Sequence, residues 1–248
     1  MAEWKSEEEI RRIRRAGQVV AECHEAIAKR IAPGVTTQEI DRFVERLMAE
    51  RGAWPAQKGY LGYPYATCAS VNEVVCHGFP DTIPLQEGDM VTIDMVADVD
   101  GWKADSAWTY SIGRPQPTAA RLLEGAKQAM LRGIAECRIG RRIGDIGAAV
   151  MQSARQSGHS VVTSFAGHGI GRAIHENPEV GNSGLSGSGV RLEAGMVLTV
   201  EPILTTGGGE IWLDRDGWTA RTRDRSWSAQ FEHTIAVTEQ GPIILTCL

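Results

Sequence analysis

The sequence lacks the features of a membrane protein and of a secreted, disulfide-stapled one. Its 248 residues contain no apolar run long enough to cross a bilayer and no pair of cysteines spaced C-x-x-C. The five cysteines are odd in number, and the charged N-terminus has no apolar segment of the kind found in signal peptides. We therefore expect a reduced protein that works in the cytoplasm.

An excess of positive charge is also absent, since 26 Lys and Arg face 31 Asp and Glu for a net charge of −5. Such a balance gives no electrostatic footprint for nucleic acid. The basic cluster at residues 11–15 follows three glutamates at residues 7–9, at the spacing of ion pairs on a helix. We interpret it as a solvated helix face rather than a nucleic-acid patch.

Two stretches of the chain resemble each other, and each ends on a carboxylate. They are residues 88–94 (GDMVTID) and 195–201 (GMVLTVE). In both, a glycine leads into an apolar, strand-like run that contains a threonine, and an acid follows. A buried carboxylate needs a cation, a proton or a metal, so Asp94 and Glu201 are candidate site residues.

The helical patterns beside these stretches repeat as well. Capping-box pairs at Ser6/Glu9 and Thr36/Glu39 begin two predicted helices in the first half of the chain. Together with the strand resemblance, this predicts one catalytic domain over residues 1–248, built from similar halves at about 6–113 and 114–248 that share a core. The matching positions are Gly34, Glu39, Ile40, Val44 and Gly52 with Gly140, Asp145, Ile146, Val150 and Gly158.

The dipeptide Asp100-Gly101 predicts a two-residue hairpin. Its register puts Asp94 opposite Ala107 and sends Asp105 to the same face, roughly 7–8 Å from Asp94 at Cα. For Asp105 alone, a solvent-facing position is the better interpretation, because many strands have a wet face. As a pair, the two carboxylates repel each other unless a cation lies between them, which favours a metal site.

The second half adds further candidates. His168 stands among three glycines (GHGIG, residues 167–171), which let the backbone approach a ligand, although a histidine in a flexible turn is as good an interpretation. Glu232 and His233 open a predicted strand, and strand alternation sends them to opposite faces. Only one of the two should belong to the site, and we choose Glu232.

Two more histidines, His77 and His175, share the pattern H-x-x-P, one in each half. Either could be a loop histidine with one backbone hydrogen bond. Their matching placement instead suggests that both face one cleft, where a neutral imidazole can bind or polarise a substrate. His24 and His159 have no such company, and we interpret them as structural.

Taken together, these motifs closely resemble those of the type I methionine aminopeptidases of bacteria, in order and over essentially the whole chain. No long insertion interrupts the second half, which favours the compact type I form over the type II form. The motifs that carry the resemblance are NEVVCHG (residues 72–78), Asp94, Asp105, GHGIG (residues 167–171), Glu201-Pro202 and SAQFEHT (residues 228–234).

The resemblance implies an α+β fold known as the pita-bread fold. In it, two pseudo-twofold halves form a curved, mostly antiparallel sheet with helices packed on its outer face. The resemblance also implies that His77 and His175 contact the substrate and that Glu201 carries a proton in addition to binding metal. The implied ligands of a dinuclear metal site are Asp94, Asp105, His168, Glu201 and Glu232, with Asp105 and Glu232 bridging the two ions.

The implied cofactors are two divalent metal ions. Four carboxylates and one imidazole form a hard, oxygen-rich ligand set that suits Mn, Fe or Co, with Zn as a further candidate. The implied reaction is hydrolysis of the first peptide bond by metal-bound hydroxide, which releases N-terminal methionine from nascent proteins. Glu201 would shuttle the proton from the water to the leaving amine.

The substrate pocket matches the family less closely than the metal site does. Tyr60, Tyr63, Cys68 and Trp218 occupy pocket positions, and a cysteine with aromatic rings suits a methionine thioether. Three nearby positions depart from the common pattern and are expected to alter the pocket walls: Gln57, Leu61 and Ile174.

Two other functions remain open on the sequence alone. One is a non-catalytic binding protein of the same fold, against which five intact ligand positions argue. The other is a paralogous aminopeptidase with a different preference for the first residue. The expected partners are nascent peptides that begin with methionine, with the ribosome as a further candidate. Neither nucleic acid nor membrane is expected as a partner, and we expect a monomer.

Overall fold

Four α-helices, a 3-10 helix at Tyr60–Gly62 and a set of antiparallel strands are the regular elements of residues 4–248, the part of the chain that this computed structural model describes. The helices are α1 (Glu7–Ala28), α2 (Thr37–Glu50), α3 (Pro117–Ala135) and α4 (Ile143–Ser157). The strands are β1 (Trp54–Pro55), β2 (Cys68–Val71), β3 (Val74–Cys76), β4 (Met90–Val99), β5 (Trp102–Ser111), β6 (Ser160–Val161), β7 (Ala166–Gly169), β8 (Glu176–Gly181), β9 (Val197–Val200), β10 (Ile203–Thr205), β11 (Ile211–Leu213), β12 (Ala220–Thr222), β13 (Ser228–Gln230), β14 (His233–Thr238) and β15 (Gly241–Ile244).

The longest strands, β4 and β5, form the hairpin that the sequence predicts. Val99 pairs with Trp102 across the turn, and Asp94 lies opposite Ala107. Strands β1 and β2 pair with β4, while a second sheet in the order β15-β14-β9-β7-β8 forms the core of the other half. The hairpin also contacts the second half, since the hydroxyl of Ser106 on β5 donates to the carbonyl oxygen of Glu232 at 2.7 Å.

The predicted capping boxes are both present. The side chain of Ser6 accepts a hydrogen bond from the backbone N–H of Glu9, and the Glu9 carboxylate accepts one from the backbone N–H of Ser6; Thr36 and Glu39 form the same pair of bonds. Such boxes satisfy N–H groups that the first helical turn leaves free. Helix α1 then packs on β4 and β5, whereas α3 and α4 pack together on the second half.

The matched glycines of the two halves adopt matching conformations. Gly34 and Gly140 have φ of 92° and 88°, and Gly88 and Gly195 have φ of 91° and 90°. This left-handed region is strained for other residues, so the same turn recurs where the sequence repeats. Of the helices in residues 4–248, none is both long and apolar enough to cross a membrane.

Helix α1 lies so close to the C-terminal segment that only a glycine fits at the contact. A Cβ atom on Gly17 would sit 2.2 Å from the backbone oxygen of Leu245. Since neither group is the end of a flexible side chain, the two segments would have to separate to admit even one methyl group.

We predict that Gly17→Ala lowers the free energy of unfolding by about 1–3 kcal/mol, because overpacking outweighs the better helix propensity of alanine. Urea unfolding followed by circular dichroism measures the change. The exposed neighbour Gln18 provides the control, and Gln18→Ala should be neutral or slightly stabilising. Equal stability of the two variants would contradict the close contact.

Candidate metal centre

The β4–β5 hairpin brings two carboxylates to one face of the first half. Val96 pairs with Asp105 and Asp94 pairs with Ala107, so the two acids are diagonal neighbours. Strand alternation puts both side chains on the same side of the hairpin. Asp105 is only 6% exposed, and it therefore does not lie on a wet strand face.

Three strands of the second half complete the cluster. His168 lies on β7, Glu201 follows β9, and Glu232 immediately precedes β14. The Nε2 atom of His168 is 3.8 Å from Oδ2 of Asp105 and 3.6 Å from Oε1 of Glu201. One ligand atom each from Asp105, His168 and Glu232 can be chosen so that all lie within 4.8 Å of one another.

The two halves meet through the backbone beside this cluster. The N–H of Glu232 donates to the carbonyl oxygen of Ala107 at 2.8 Å, and Ala107 is the residue that pairs with Asp94. The cross-strand pair of Val200 with His233 places Glu201 and Glu232 at the same end of β9 and β14. The acids from both halves are therefore fixed by main-chain contacts.

Unsatisfied oxygens indicate what the cluster can hold. Oδ1 of Asp105 and Oε1 of Glu232 are buried and have no hydrogen-bond partner, and the whole Glu232 residue is only 1% exposed. A buried carboxylate oxygen without a partner is costly. Divalent cations bound by oxygen ligands would satisfy these atoms, so the donor set fits a metal.

The charges of the cluster are unfavourable without a cation. Burial, followed by repulsion from the neighbouring acids, raises the pKa of Asp105 and of Glu232 well above the ordinary range. Burial also raises the pKa of Asp94 to about 6 and that of Glu201 to about 8. The pKa of His168 is lowered to about 4, first by burial and then by the nearby His175, which leaves a neutral imidazole suited to metal binding.

Two threonines that sequence reasoning did not select hold the ligands in place. The hydroxyl of Thr199 donates to Oε1 of Glu201 at 2.8 Å and accepts from the N–H of His168 at 2.9 Å. Likewise, the hydroxyl of Thr234 accepts from the N–H of Asp105 at 2.9 Å and donates to its carbonyl oxygen at 2.8 Å. Thr199 could have been selected from the sequence, because it is the threonine of the 195–201 stretch.

The structure brings His175 into the cluster, with Tyr60 beside it. The His175 ring centroid is 4.3 Å from that of His168, and the hydroxyl of Tyr60 is 2.9 Å from Nδ1 of His175. His77 lies edge-on to Trp218, and burial followed by the nearby His175 lowers the pKa of His77 to about 4. The two H-x-x-P histidines therefore lie near each other beside the cluster, and burial lowers the pKa of both, which favours the neutral imidazole.

The predicted pocket residues also lie together. The Tyr63 ring meets Trp218 edge-on at 5.0 Å, and Cys68 pairs across the strands with the candidate ligand Asp94. Leu61 is 79% exposed and so contributes little to an enclosed wall, whereas Ile174 is buried.

The side chain of Gln57 has a structural role that its residue type did not predict. Its Oε1 accepts from the N–H of Val96 at 2.9 Å, and its Nε2 lies 3.5 Å from the carbonyl oxygen of Asp94 and 3.4 Å from Sγ of Cys68. The side-chain amide thus continues the pairing of β1 with β4 up to Asp94. It braces the strand beside the cluster and also borders the pocket.

Three histidines lie outside the cluster. His24 is buried and stacks on Trp108 at a centroid distance of 4.9 Å, with hydrogen bonds of its own. His233 bonds Thr246 on the face opposite to Glu232. His159 contacts the hydroxyl of Ser157 at the end of α4.

Comparisons with known proteins agree with this geometry. Residues 11–239 match the model of metallopeptidase family M24. The chain is 43% identical over 242 residues to methionine aminopeptidase A of Synechocystis sp., covering 97% of this chain and 96% of that protein. It is 44% identical over 247 residues to methionine aminopeptidase B of the same organism, covering 97% and 90%. The crystal structure of methionine aminopeptidase from Rickettsia prowazekii superposes with a TM-score of 0.98 at 40% identity, covering 99% of this chain and all of that one.

The chain belongs to metallopeptidase family M24, and it is therefore a hydrolase that uses a divalent metal. Its full-length similarity confirms the predicted resemblance to the bacterial type I methionine aminopeptidases and, with it, the α+β pita-bread fold.

The raised pKa values predict that metal binding displaces protons. Glu201, with a pKa of about 8, carries a proton in most molecules of the metal-free protein at pH 7. Because a metal binds the deprotonated carboxylate, affinity should rise by about tenfold per pH unit for each proton displaced.

Calorimetric titration of the chelator-treated protein with Mn²⁺ at pH 6 and pH 7, in two buffers of different ionisation enthalpy, measures both quantities. We expect tighter binding at the higher pH and a net release of protons. Glu201→Gln should release fewer protons than the wild type. An affinity that does not change with pH, together with no proton release, would refute the protonated cluster.

Proposed function

We propose that this protein removes N-terminal methionine from newly made polypeptides by hydrolysing their first peptide bond. The observation that carries the proposal is the buried cluster of acids with unsatisfied oxygens, with His175 packed against His168 and His77 nearby. The names of its full-length relatives support the same activity. We further propose that residues 1–248 act as one catalytic domain, since both halves contribute to one cluster. We also propose that the protein is a monomer and that it works in the cytoplasm.

Charge balance supports two metal ions rather than one. With all four carboxylates ionised beside a neutral imidazole, the cluster carries four negative charges, and a single divalent ion would balance half of them and leave the other two carboxyls to keep protons. Two divalent ions would balance all four, and the hard ligand set suits Mn, Fe, Co or Zn in that site. The residues proposed to hold them are Asp94, Asp105, His168, Glu201 and Glu232.

Divalent metal held by these residues would supply hydroxide near neutral pH and would polarise the scissile carbonyl. Glu201 would accept the proton that the attacking water gives up and would pass it to the leaving amine. The hydroxyl of Thr199 donates to Oε1 of Glu201 at 2.8 Å, whereas Oε2 accepts from Nε2 of Gln230 at 3.4 Å, so Oε2 is the more weakly held oxygen and is proposed to carry the proton.

His77 and His175 are proposed to bind the substrate carbonyl and the oxyanion that replaces it. Burial lowers the pKa of His77 to about 4 and also lowers the pKa of His175, which favours the neutral form of both rings. The contact of Tyr60 with Nδ1 of His175 leaves Nε2 available to the substrate. Neutral N–H donors aimed at developing negative charge stabilise a transition state more than the ground state.

The methionine side chain is proposed to occupy the space beside Tyr63, Cys68 and Trp218. Tyr63 is held rigidly, since its hydroxyl donates to the carbonyl oxygens of Thr67 and Gly78, at 3.1 Å in each case. Aromatic edges and a sulfur atom make favourable contacts with a thioether. This composition favours methionine over a charged or branched first residue.

The activity is tested first with Met-Ala-Ser and the metal-loaded protein, beside matched peptides with other first residues. Asp105→Ala should lower kcat by at least ~100-fold, because it removes a ligand from the proposed metal pair. The exposed acid Glu239, at the far end of β14, gives the control: Glu239→Ala should retain wild-type turnover.

Release of methionine by the wild type with no divalent metal added back would contradict the mechanism. A better turnover of another first residue would instead identify an aminopeptidase of different preference. A protein that binds these peptides with no turnover under any metal would identify a binding function.

A separate prediction concerns the two cleft histidines. His175→Ala and His77→Ala should each lower kcat roughly 100-fold, the loss typical of one oxyanion donor, with metal content unchanged. Steady-state kinetics and metal analysis measure the two effects. His159→Ala, at the end of α4, serves as the control and should behave as wild type. Loss of metal in either cleft variant would mean that the histidine supports the metals instead.

A further inference from the structure

The loop that presents His175 is closed by the next residue, Glu176. One oxygen of Glu176, Oε1, accepts from the N–H groups of Arg172 and Ala173 at 2.7 and 3.0 Å. The carboxylate therefore satisfies the backbone of its own loop, and the position of Glu176 sets the path of the chain on either side of His175.

The other oxygen of Glu176 binds a residue from the opposite end of the sequence. The Nζ atom of Lys5 lies 2.7 Å from Oε2, and the side chains of the pair are only 4% and 9% exposed. Lys5 comes immediately before Ser6, the residue that caps α1, and its backbone N–H donates to Gly195 at 2.7 Å. The start of the first half thus contacts the second half beside the cluster.

Two glycines make room for this lysine. A Cβ on Gly171 would sit 2.6 Å from Cε of Lys5, and a Cβ on Gly195 would sit 2.8 Å from its backbone oxygen. Gly171 is the last glycine of GHGIG, the motif that also carries His168. Its lack of a side chain admits the lysine stem, so the motif serves the ion pair as well as the cluster.

The remaining contacts of the loop fix its other side. The guanidinium of Arg172 lies 4.0 Å from the centroid of the Trp102 ring, and Nζ of Lys103 donates to the carbonyl oxygen of Arg172 at 2.9 Å. These two contacts hold the side of the loop that faces Trp102 and Lys103. Glu176 and Lys5 hold the other side, where the chain turns back toward His175.

The burial of the Lys5–Glu176 ion pair determines how strongly the loss of either partner would disturb the loop. Exposed ion pairs contribute little, whereas removing one partner of a buried pair leaves an uncompensated charge and is strongly destabilising locally. Without Lys5, the Glu176 carboxylate would draw in water or a proton, and the loop N–H groups would lose a well-placed acceptor. The His175 ring would then lose its fixed position.

We propose that Lys5 is a positioning residue: through its buried ion pair with Glu176, it holds His175 against His168 and the hydroxyl of Tyr60. The proposal rests on the proposed function of His175 in the cleft. It assigns no contact between Lys5 and the substrate.

The test breaks the pair and then removes both charges. Lys5→Met should lower kcat on Met-Ala-Ser about 10-fold or more with a smaller change in KM, because the misplaced imidazole no longer meets the reacting carbonyl. In the metal-free protein, the amides of Arg172 and Ala173 should exchange with deuterium at least ~10-fold faster. Glu176→Gln breaks the same pair if Lys5→Met does not fold.

The double variant Lys5→Met/Glu176→Gln distinguishes positioning from packing. The glutamine oxygen can still accept from the loop N–H groups, and no charge is left unpaired, so kcat and amide protection should recover toward wild type. The exposed pair of Arg15 with Asp100, whose side chains are 62% and 68% exposed, gives the control. Arg15→Gln should change neither readout.

Wild-type kcat and wild-type amide exchange in Lys5→Met would overturn the proposal, as would a double variant no better than the singles. Failure of the wild type to release methionine would overturn the proposed function alone. In that case the exchange measurement on metal-free protein would still decide whether Lys5 holds the loop.

Discussion

Four carboxylates converge on one buried space, and their mutual repulsion is the constraint on which the rest of the structure depends. Burial and neighbouring charge raise the pKa of Asp105 and Glu232 well above the ordinary range, and two of their oxygens have no partner. The sheet backbone holds these acids together, and their raised pKa values mean that protons, or a divalent metal, offset the charge that they would otherwise carry. The repulsion among the carboxylates therefore lowers the stability of the metal-free protein and raises its affinity for metal.

The antiparallel sheet supplies the rigidity that this arrangement needs. Asp105 is held at its backbone by the hydroxyl of Thr234, and Glu232 is held at its backbone by the carbonyl oxygen of Ala107, so each half fixes an acid of the other. Because these contacts use backbone groups and a threonine hydroxyl, they do not depend on the ionisation of the carboxylates. The cluster can thus keep its shape while its protons are exchanged for metal.

Local patterns in the sequence were enough to predict the parts of the site that lie on regular strands. The Asp100-Gly101 turn set the register of β4 and β5, and from that register followed the shared face of Asp94 and Asp105. Contacts between residues far apart in the chain left no such periodic signal. The ion pair of Lys5 with Glu176 is of this kind. The side-chain amide of Gln57 was equally hidden, because no residue-type preference indicates that it will imitate a backbone pair.

The matching stretches at 88–94 and 195–201 show how one repeat yields two different acids. In the first, Thr92 bonds across the hairpin to Thr109 at 2.8 Å, and the short Asp94 projects from the strand without that support. In the second, the extra methylene lets Glu201 reach back to Thr199 on its own strand. The same threonine position thus serves the sheet in one half and the acid in the other. Glu201 is therefore held at both oxygens, closely by Thr199 and more loosely by the amide of Gln230 at 3.4 Å, whereas Asp94 has no such contact with the threonine of its own stretch.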